Sequence, residues 1–321
     1  MRIVFCGTPD FAVPSLQMLI DEAYDVVGVF CQPDRPVGRK QTLQAPPVKQ
    51  LAAAHGIPVF QFEDMRKIEG VQALRALAPD LMLTAAFGQI LSQENLDIPK
   101  KGTVNVHGSL LPQYRGAAPI QWAVIDGRTE TGVTTLYTVL ALDAGDMLLK
   151  NTLPIGPDET AGELFGRVAT LGAQTLKQTI EGLQRGDLQA TPQDEAQASK
   201  CRMLKKEDGR VDWSGSAARI HNLIRGLNPW PGAFTYVKKP GESTPQVMKI
   251  WRSQTAPCPV PWEHAAPGSV LLANPTQGLW VRTGEGALRL LEIQMTGGKR
   301  LSAEVFLRGH DLSGGVCLAK A

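Results

Sequence analysis

The chain has 321 residues, a net charge of +2, and 43% hydrophobic and 20% charged residues. That is an ordinary globular composition, and the length favours two domains over one. The near-zero charge excludes nucleic-acid binding through an overall electrostatic field, so any such contact has to come from local patches. The five cysteines (Cys6, Cys31, Cys201, Cys258, Cys317) are scattered, with no C-x-x-C and no His/Cys cluster at metal spacing, so no metal site is expected. An odd, unpatterned cysteine count fits reduced thiols in a cytoplasmic protein. MRIVFCG leads into a strand without a signal-like segment, and no apolar run approaches the roughly 20 residues of a membrane helix, so no membrane association is expected.

Residues 2–6 read as a buried strand. Gly7-Thr8-Pro9-Asp10 turns into a helix over 11–22 with Asp10 as its N-cap, and 25–30 (DVVGVF) is the second strand. This β-α-β start implies a right-handed crossover and a parallel sheet. Its first turn lacks G-x-G-x-x-G, which counts against a dinucleotide enzyme. Residues 31–47 (CQPDRPVGRKQTLQAPP) form a long loop carrying Arg35, Arg39 and Lys40. These cations suit phosphates, although a solvated surface loop reads the same way. Helices follow at 48–55 and 65–78, and strands at 58–62 and 80–87 (DLMLTAAF), the last ending at Gly88.

The centre of the chain is 103–146. TVNVH alternates and is β-branched, so it reads as a strand. Asn105 and His107, two apart, leave the same face. Gly108 ends the strand, and strand carboxyl ends are where open α/β sheets bind ligands. An amide NH2 and a protonated imidazole both donate hydrogen bonds and together suit an oxyanion developing on a carbonyl oxygen. Asp143, in the turn LDAGD, is the carboxylate expected to set the imidazole's charge and accept a proton, with Asp146 as the spare; base and orienter are both open roles for Asp143. Without more, Asn-x-His on a strand is equally two satisfied polar groups. No H-E-x-x-H, H-x-E or G-x-S-x-G occurs, so neither a hydrolytic metal site nor an acyl-serine is expected. His55, His221, His264 and His310 read as structural or surface residues.

Downstream, 119–125 is helical, 131–139 and 146–154 are strands, and 160–185 is an amphipathic helix closed by Gly186. Residues 187–200 are polar and read as a linker. Lys200, Arg202, Lys205 and Lys206 put four cations at this junction, as a solvated face or an RNA track. A helix at 214–227 is broken by Asn228-Pro229-Trp230-Pro231-Gly232. Short strands at 233–238, 246–253, 268–273, 278–283 and 287–295 suggest a small barrel, closed by a helix at 301–307. The expected architecture is α/β: a Rossmann-like, mostly parallel sheet with helices over 1–186, a linker at 187–205, and a barrel at 206–321. Nothing points to an obligate partner subunit, so a monomer is expected.

The run N-x-H-x-S-L-L-P-x-Y-R-G from Asn105 to Gly116, followed by L-D-x-G-D, resembles the folate-dependent formyltransferases. GLNPWPGAF resembles that family's OB-like C-terminal domain, so the resemblance covers essentially the whole chain. It implies formyl transfer from 10-formyltetrahydrofolate without a metal, with Asn105, His107 and Asp143 as catalytic residues. It also implies a folate pocket lined by Ser109, Leu110, Leu111 and Pro112, with Phe87, Gly88 and Ile90 along it. Family members that formylate initiator methionyl-tRNA in translation initiation carry P-D-R-P-x-G-R in the first long loop, which is understood to enter the tRNA acceptor stem. The resemblance thus implies that Arg35, Arg39, Lys40 and Lys206 meet tRNA. Here Gln41, Thr42 and Gln44 stand where relatives often have lysines, so salt-dependent contacts are fewer. Sister activities pass the formyl group to an amino sugar nucleotide, a glycinamide nucleotide or water. A silent RNA-binding protein on the same scaffold is a further alternative, against which the intact Asn105, His107 and Asp143 set weighs.

Overall fold

The apolar runs at Arg2–Gly7, Asp25–Cys31, Val59–Gln61, Leu81–Ala85 and Thr103–His107 line up as five parallel strands. The computed structural model, which describes residues 1–38, 41–238, 241 and 243–318, adds two more strands to one edge. The order is Met147–Pro154, Glu130–Tyr137, Thr103–His107, Leu81–Ala85, Arg2–Gly7, Asp25–Cys31, Val59–Gln61. Glu130–Tyr137 runs antiparallel to Thr103–His107. Ile3 and Phe5 on one face, and Val4 and Cys6 on the other, are all fully buried. Both faces of the sheet are therefore covered, which is why these strands read as continuous apolar runs rather than alternating ones. On one side Val4, Cys6, Phe30 and Met82 pack with Met65, Leu74 and Phe87.

This sheet belongs to one of two contact units, made of Met1–Pro119, Glu130–Leu153 and Phe165–Cys201; the other comprises Ile120–Thr129, Pro154–Leu164 and Arg202–Ala321. The second unit's sheet has the order Val270–Asn274, Gly278–Arg282, Ala287–Met295, Gln246–Thr255, Ala233–Lys238, Val316–Leu318, with every adjacent pair antiparallel. Its ends nearly meet: the Val270 amide donates to the Gly315 carbonyl at 2.9 Å, and that of Cys317 to Gly268 at 2.7 Å. Gly268 has φ +91, and a Cβ there would collide with the Cys317 carbonyl, so closure of the barrel requires glycine. The interior is filled by Val211, Trp213, Ile220, Met248, Ile250, Leu288 and Leu290 among others. The α/β sheet followed by a small antiparallel barrel is the architecture expected from the sequence.

Three local expectations change. Asp10 is not a helix N-cap: it lies inside a 3-10 turn, Asp10–Ala12, ahead of the helix Val13–Asp21, and the turn's cap, Pro9, makes no side-chain bond. The long loop contains a two-stranded hairpin, Arg35–Val37 against Thr42–Gln44. Leu301–Ser302 pairs with Ala287–Met295 before the short helix Ala303–Leu307, which Ser302 caps through the Val305 amide. All five cysteines are free thiols, and burial pushes the Cys31 thiol up to about 11. Among the described residues no helix is long and apolar enough to cross a membrane.

The helix Ala161–Arg185 opens with a capping box. The Thr160 amide and hydroxyl both donate to a Glu163 carboxylate oxygen, and the Glu163 amide donates back to Thr160 Oγ1. The Thr160 amide, then Arg252, hold the Glu163 carboxyl down to about 2 from an ordinary 4.5. A carboxyl lowered by folding stabilises only while ionised, so its contribution is complete above about pH 4.5 and is lost as pH falls through about 2. Glu163 is about half exposed, so screening shrinks the gain. Glu163→Gln is expected to cost about 0.5–1 kcal/mol at pH 7 and to flatten the variant-minus-wild-type difference between pH 4.5 and 2, as read by urea unfolding; a difference independent of pH would refute this.

Candidate active site

Thr84 is the one polar side chain in the buried strand Leu81–Ala85, and it pairs in register with Asn105. Its hydroxyl donates to Asn105 Oδ1 at 2.8 Å. That bond fixes the amide's orientation, so the NH2 end points the other way, toward Asp143 Oδ1 at 3.5 Å. His107, two residues on and buried, sets Nε2 2.9 Å from the Tyr114 carbonyl, so Nε2 carries a proton. Its other nitrogen, Nδ1, lies 3.7 Å from Asp143 Oδ2. Asn105, His107 and Asp143 thus converge as a strand pair facing one carboxylate. Both gaps to that carboxylate are longer than a good hydrogen bond.

Asp143 is held on several sides. The Gly116 amide donates to Asp143 Oδ2 at 2.9 Å. The side-chain NH2 of Gln193 donates to the Asp143 and Gly145 carbonyls, each at 2.8 Å. Asp143 itself has φ +52, in the left-handed region. Gly116 has φ +124, and a Cβ there would collide with the Cys201 carbonyl. The segment after Gln193 lies along 112–117: Ser199 N donates to Pro112 O, Tyr114 N to Ser199 Oγ, Arg115 N to Ser199 O, and Ala117 N to Cys201 O. Arg115 and Gly116 pair with Lys200 and Cys201 as a short parallel ladder.

The residues expected to line a pocket are mixed in exposure. Ser109 is fully buried, its hydroxyl on the Gln113 carbonyl at 2.7 Å. Leu111 packs with Leu136 and Met147, Pro112 is buried, and Leu110 is half-buried. Phe87 is buried, and its carbonyl accepts from Thr8 Oγ1; the Gly88 carbonyl accepts from Gln32 Nε2. Ile90 is 70% exposed. The loops at Thr8, Gln32, Phe87 and Ser109 all follow the carboxyl ends of parallel strands. Val139, Leu140 and Leu142, just before Asp143, are large apolar side chains left exposed. Arg35 is exposed and paired with Glu63 at 2.7 Å. Lys206 is exposed in the second unit. Arg39 and Lys40 lie outside the described residues. Among the described residues no group of three or more His, Cys, Asp or Glu could hold a metal ion.

Residues 1–180 match the formyl transferase family model and residues 203–311 match the formyl transferase C-terminal domain. The chain belongs to the formyl transferase family. Among its relatives, the methionyl-tRNA formyltransferase of Ruminiclostridium cellulolyticum is 45% identical, over 100% of both chains. That of Geotalea uraniireducens is 48% identical over 100% of this chain and 98% of the relative. The fold is shared with a sugar 3N-formyl transferase, WlaRD, at TM-score 0.66 and 16% identity over 90% of this chain and 97% of that one. It is shared too with HypX from Aquifex aeolicus, solved with tetrahydrofolic acid, at TM-score 0.60 and 19% identity; the match covers 96% of this chain but only 47% of HypX.

Within this formyl transferase, sequence reasoning missed Thr84, the Gly116 amide and the Arg115–Gln193 pair. Thr84 carried a signal, a lone hydroxyl in DLMLTAAF. Gln193 carried none, because its segment is polar and aperiodic. Gly116→Ala is expected to fold poorly, losing more than about 3 kcal/mol through the strained φ and the clash at Cys201. Urea unfolding checks this; wild-type stability for that variant would mean the 112–117 segment sits elsewhere.

Proposed function

We propose that the Asn105, His107 and Asp143 cluster carries out formyl transfer from 10-formyltetrahydrofolate to the α-amine of methionine on initiator methionyl-tRNA. The observation that carries it is the pair of donors on one strand face, both turned to a single carboxylate, at 3.5 and 3.7 Å. Contacts this long leave both donors poorly committed to the carboxylate, so their N–H groups are available to the oxygen of a formyl group. The amine nitrogen bonds to the formyl carbon and the carbonyl electron pair moves onto oxygen, where Asn105 Nδ2 and the Nδ1–H of protonated His107 stabilise it. Asp143, beside both, takes the proton the amine sheds. The electron pair then returns, the bond from the formyl carbon to the folate nitrogen breaks, and that nitrogen leaves with the proton that Asp143 took, which restores the carboxylate.

The apolar side chains at Ile90, Val139, Leu140 and Leu142 stand beside Gly88 and Asp143 in the chain, and suit the flat face of a pterin. Ser109 to Pro112, in the loop that follows Thr103–His107, line the folate pocket together with Phe87, Gly88 and Ile90. Arg35, Arg39, Lys40 and Lys206 contact tRNA, Arg35 after exchanging Glu63 for a phosphate. The barrel over 206–321 serves the RNA and the α/β part over 1–186 the chemistry, in a cytoplasmic monomer. Full-length relatives named for methionyl-tRNA support this reading over sugar formylation, which a neighbour of the same fold performs.

Asn105→Ala and His107→Ala each remove one oxyanion donor and are expected to lower kcat on the order of 10²–10³-fold. Single-turnover transfer to charged initiator tRNA, with thermal melts alongside, checks this. Near-wild-type rates from either variant would discard the mechanism.

A further inference from the structure

Asp143 occupies a backbone conformation that L side chains rarely adopt, and the turn around it is short and exposed at Leu140 and Leu142. Such a residue stays put only where its surroundings over-determine it. The Gly116 amide holds the carboxylate end. The backbone end is held by a residue 50 positions away in sequence, Gln193, whose NH2 group has two protons and meets two carbonyls, those of Asp143 and Gly145. Its Oε1 accepts from Arg115 Nε at 3.0 Å, so the amide cannot be turned around without breaking three bonds. Arg115 in turn is buried, and Glu195 clamps its other two nitrogens at 3.0 and 2.7 Å.

These contacts close a ring. It runs from the Gly116 amide to the Asp143 carboxylate, through the Asp143 carbonyl to Gln193, then to Arg115, the residue that precedes Gly116. We infer that Gln193 is a positioning residue for Asp143, and that residues 193–201 thereby form part of the catalytic apparatus. The inference rests on the role given to Asp143 above. Gln193 touches no reacting atom; it fixes where the carboxylate sits relative to Asn105 and His107. Displacements of about 1 Å at such a group cost on the order of 10²-fold in rate.

Gln193→Glu is nearly isosteric and reverses the chemistry. A carboxylate has no proton for the two carbonyls and repels both, whereas its protonated form donates to one. At pH 8 this variant is expected to lose about 10²-fold in kcat, with KM for tRNA within about twofold, because the residues proposed to meet RNA lie in other segments. Part of the loss should return toward pH 5, relative to wild type at the same pH. Gln193→Leu should show the loss without the return. A second readout does not need activity: hydrogen–deuterium exchange at the Gly116 amide should quicken about tenfold or more in Gln193→Glu as the carboxylate withdraws. Wild-type kcat, or a loss matched by a lowered melting temperature with no acid return and unchanged Gly116 protection, would overturn the inference. If wild type itself transfers no formyl group, the proposed function fails, and Gly116 exchange still decides whether Gln193 positions Asp143.

Discussion

One carboxylate, held in a left-handed turn, is the constraint on which the site depends. Asp143 faces an amide and an imidazole that the sheet fixes rigidly, and it comes from a turn that would not hold this shape unaided. The strain of such a φ is about 1–3 kcal/mol. Against it stand a charge-assisted bond from the Gly116 amide, worth about 1.5–3 kcal/mol, and two bonds from Gln193 of about 0.5–1.5 kcal/mol each. The hydrogen bonds outweigh the strain, so the turn persists. Losing the Gly116 bond would leave about 1–3 kcal/mol from Gln193 against a strain of the same size, close to balance.

The sheet supplies what the turn cannot. Thr103–His107 is hydrogen-bonded on both sides, to Leu81–Ala85 and to Glu130–Tyr137. Asn105 and His107 therefore have no freedom to drift. The Thr84 hydroxyl then chooses the amide's flip, and the Tyr114 carbonyl takes the Nε2 proton, which leaves Nδ1 facing Asp143. The sheet fixes the pair of donors and the Gly116–Gln193 ring fixes the carboxylate opposite: donor geometry governs oxyanion stabilisation, and a carboxylate held in place meets the proton of the incoming amine.

Most of the α/β part was legible in the sequence because buried parallel strands are apolar runs with clear ends, as in DVVGVF and DLMLTAAF. The sequence predicts a helix over 119–125, and Pro119–Ile125 is one. The strand face of Asn105 and His107 followed from a period of two. The hairpin in 31–47 was hidden because three-residue strands containing proline carry no periodic signal. Asp10 failed as a cap because the polypeptide inserts a 3-10 turn before the helix begins. The Gln193 contacts were invisible for a different reason: they join residues 50 and 78 positions apart through side-chain-to-backbone and side-chain-to-side-chain bonds, which no local pattern encodes. The cationic set shows the converse. Arg35 was easy to find by charge, yet the fold gives it a partner in Glu63, so charge counted along the chain overstates what is available to an RNA backbone.

The most direct test of the central claim is the fate of a labelled formyl group. The wild-type protein would be given 10-formyltetrahydrofolate labelled at the formyl carbon, with charged initiator methionyl-tRNA, an amino sugar nucleotide and water all present. The account predicts that the label appears on the methionine amine of the tRNA. Label released as formate, or carried by the sugar, would contradict it.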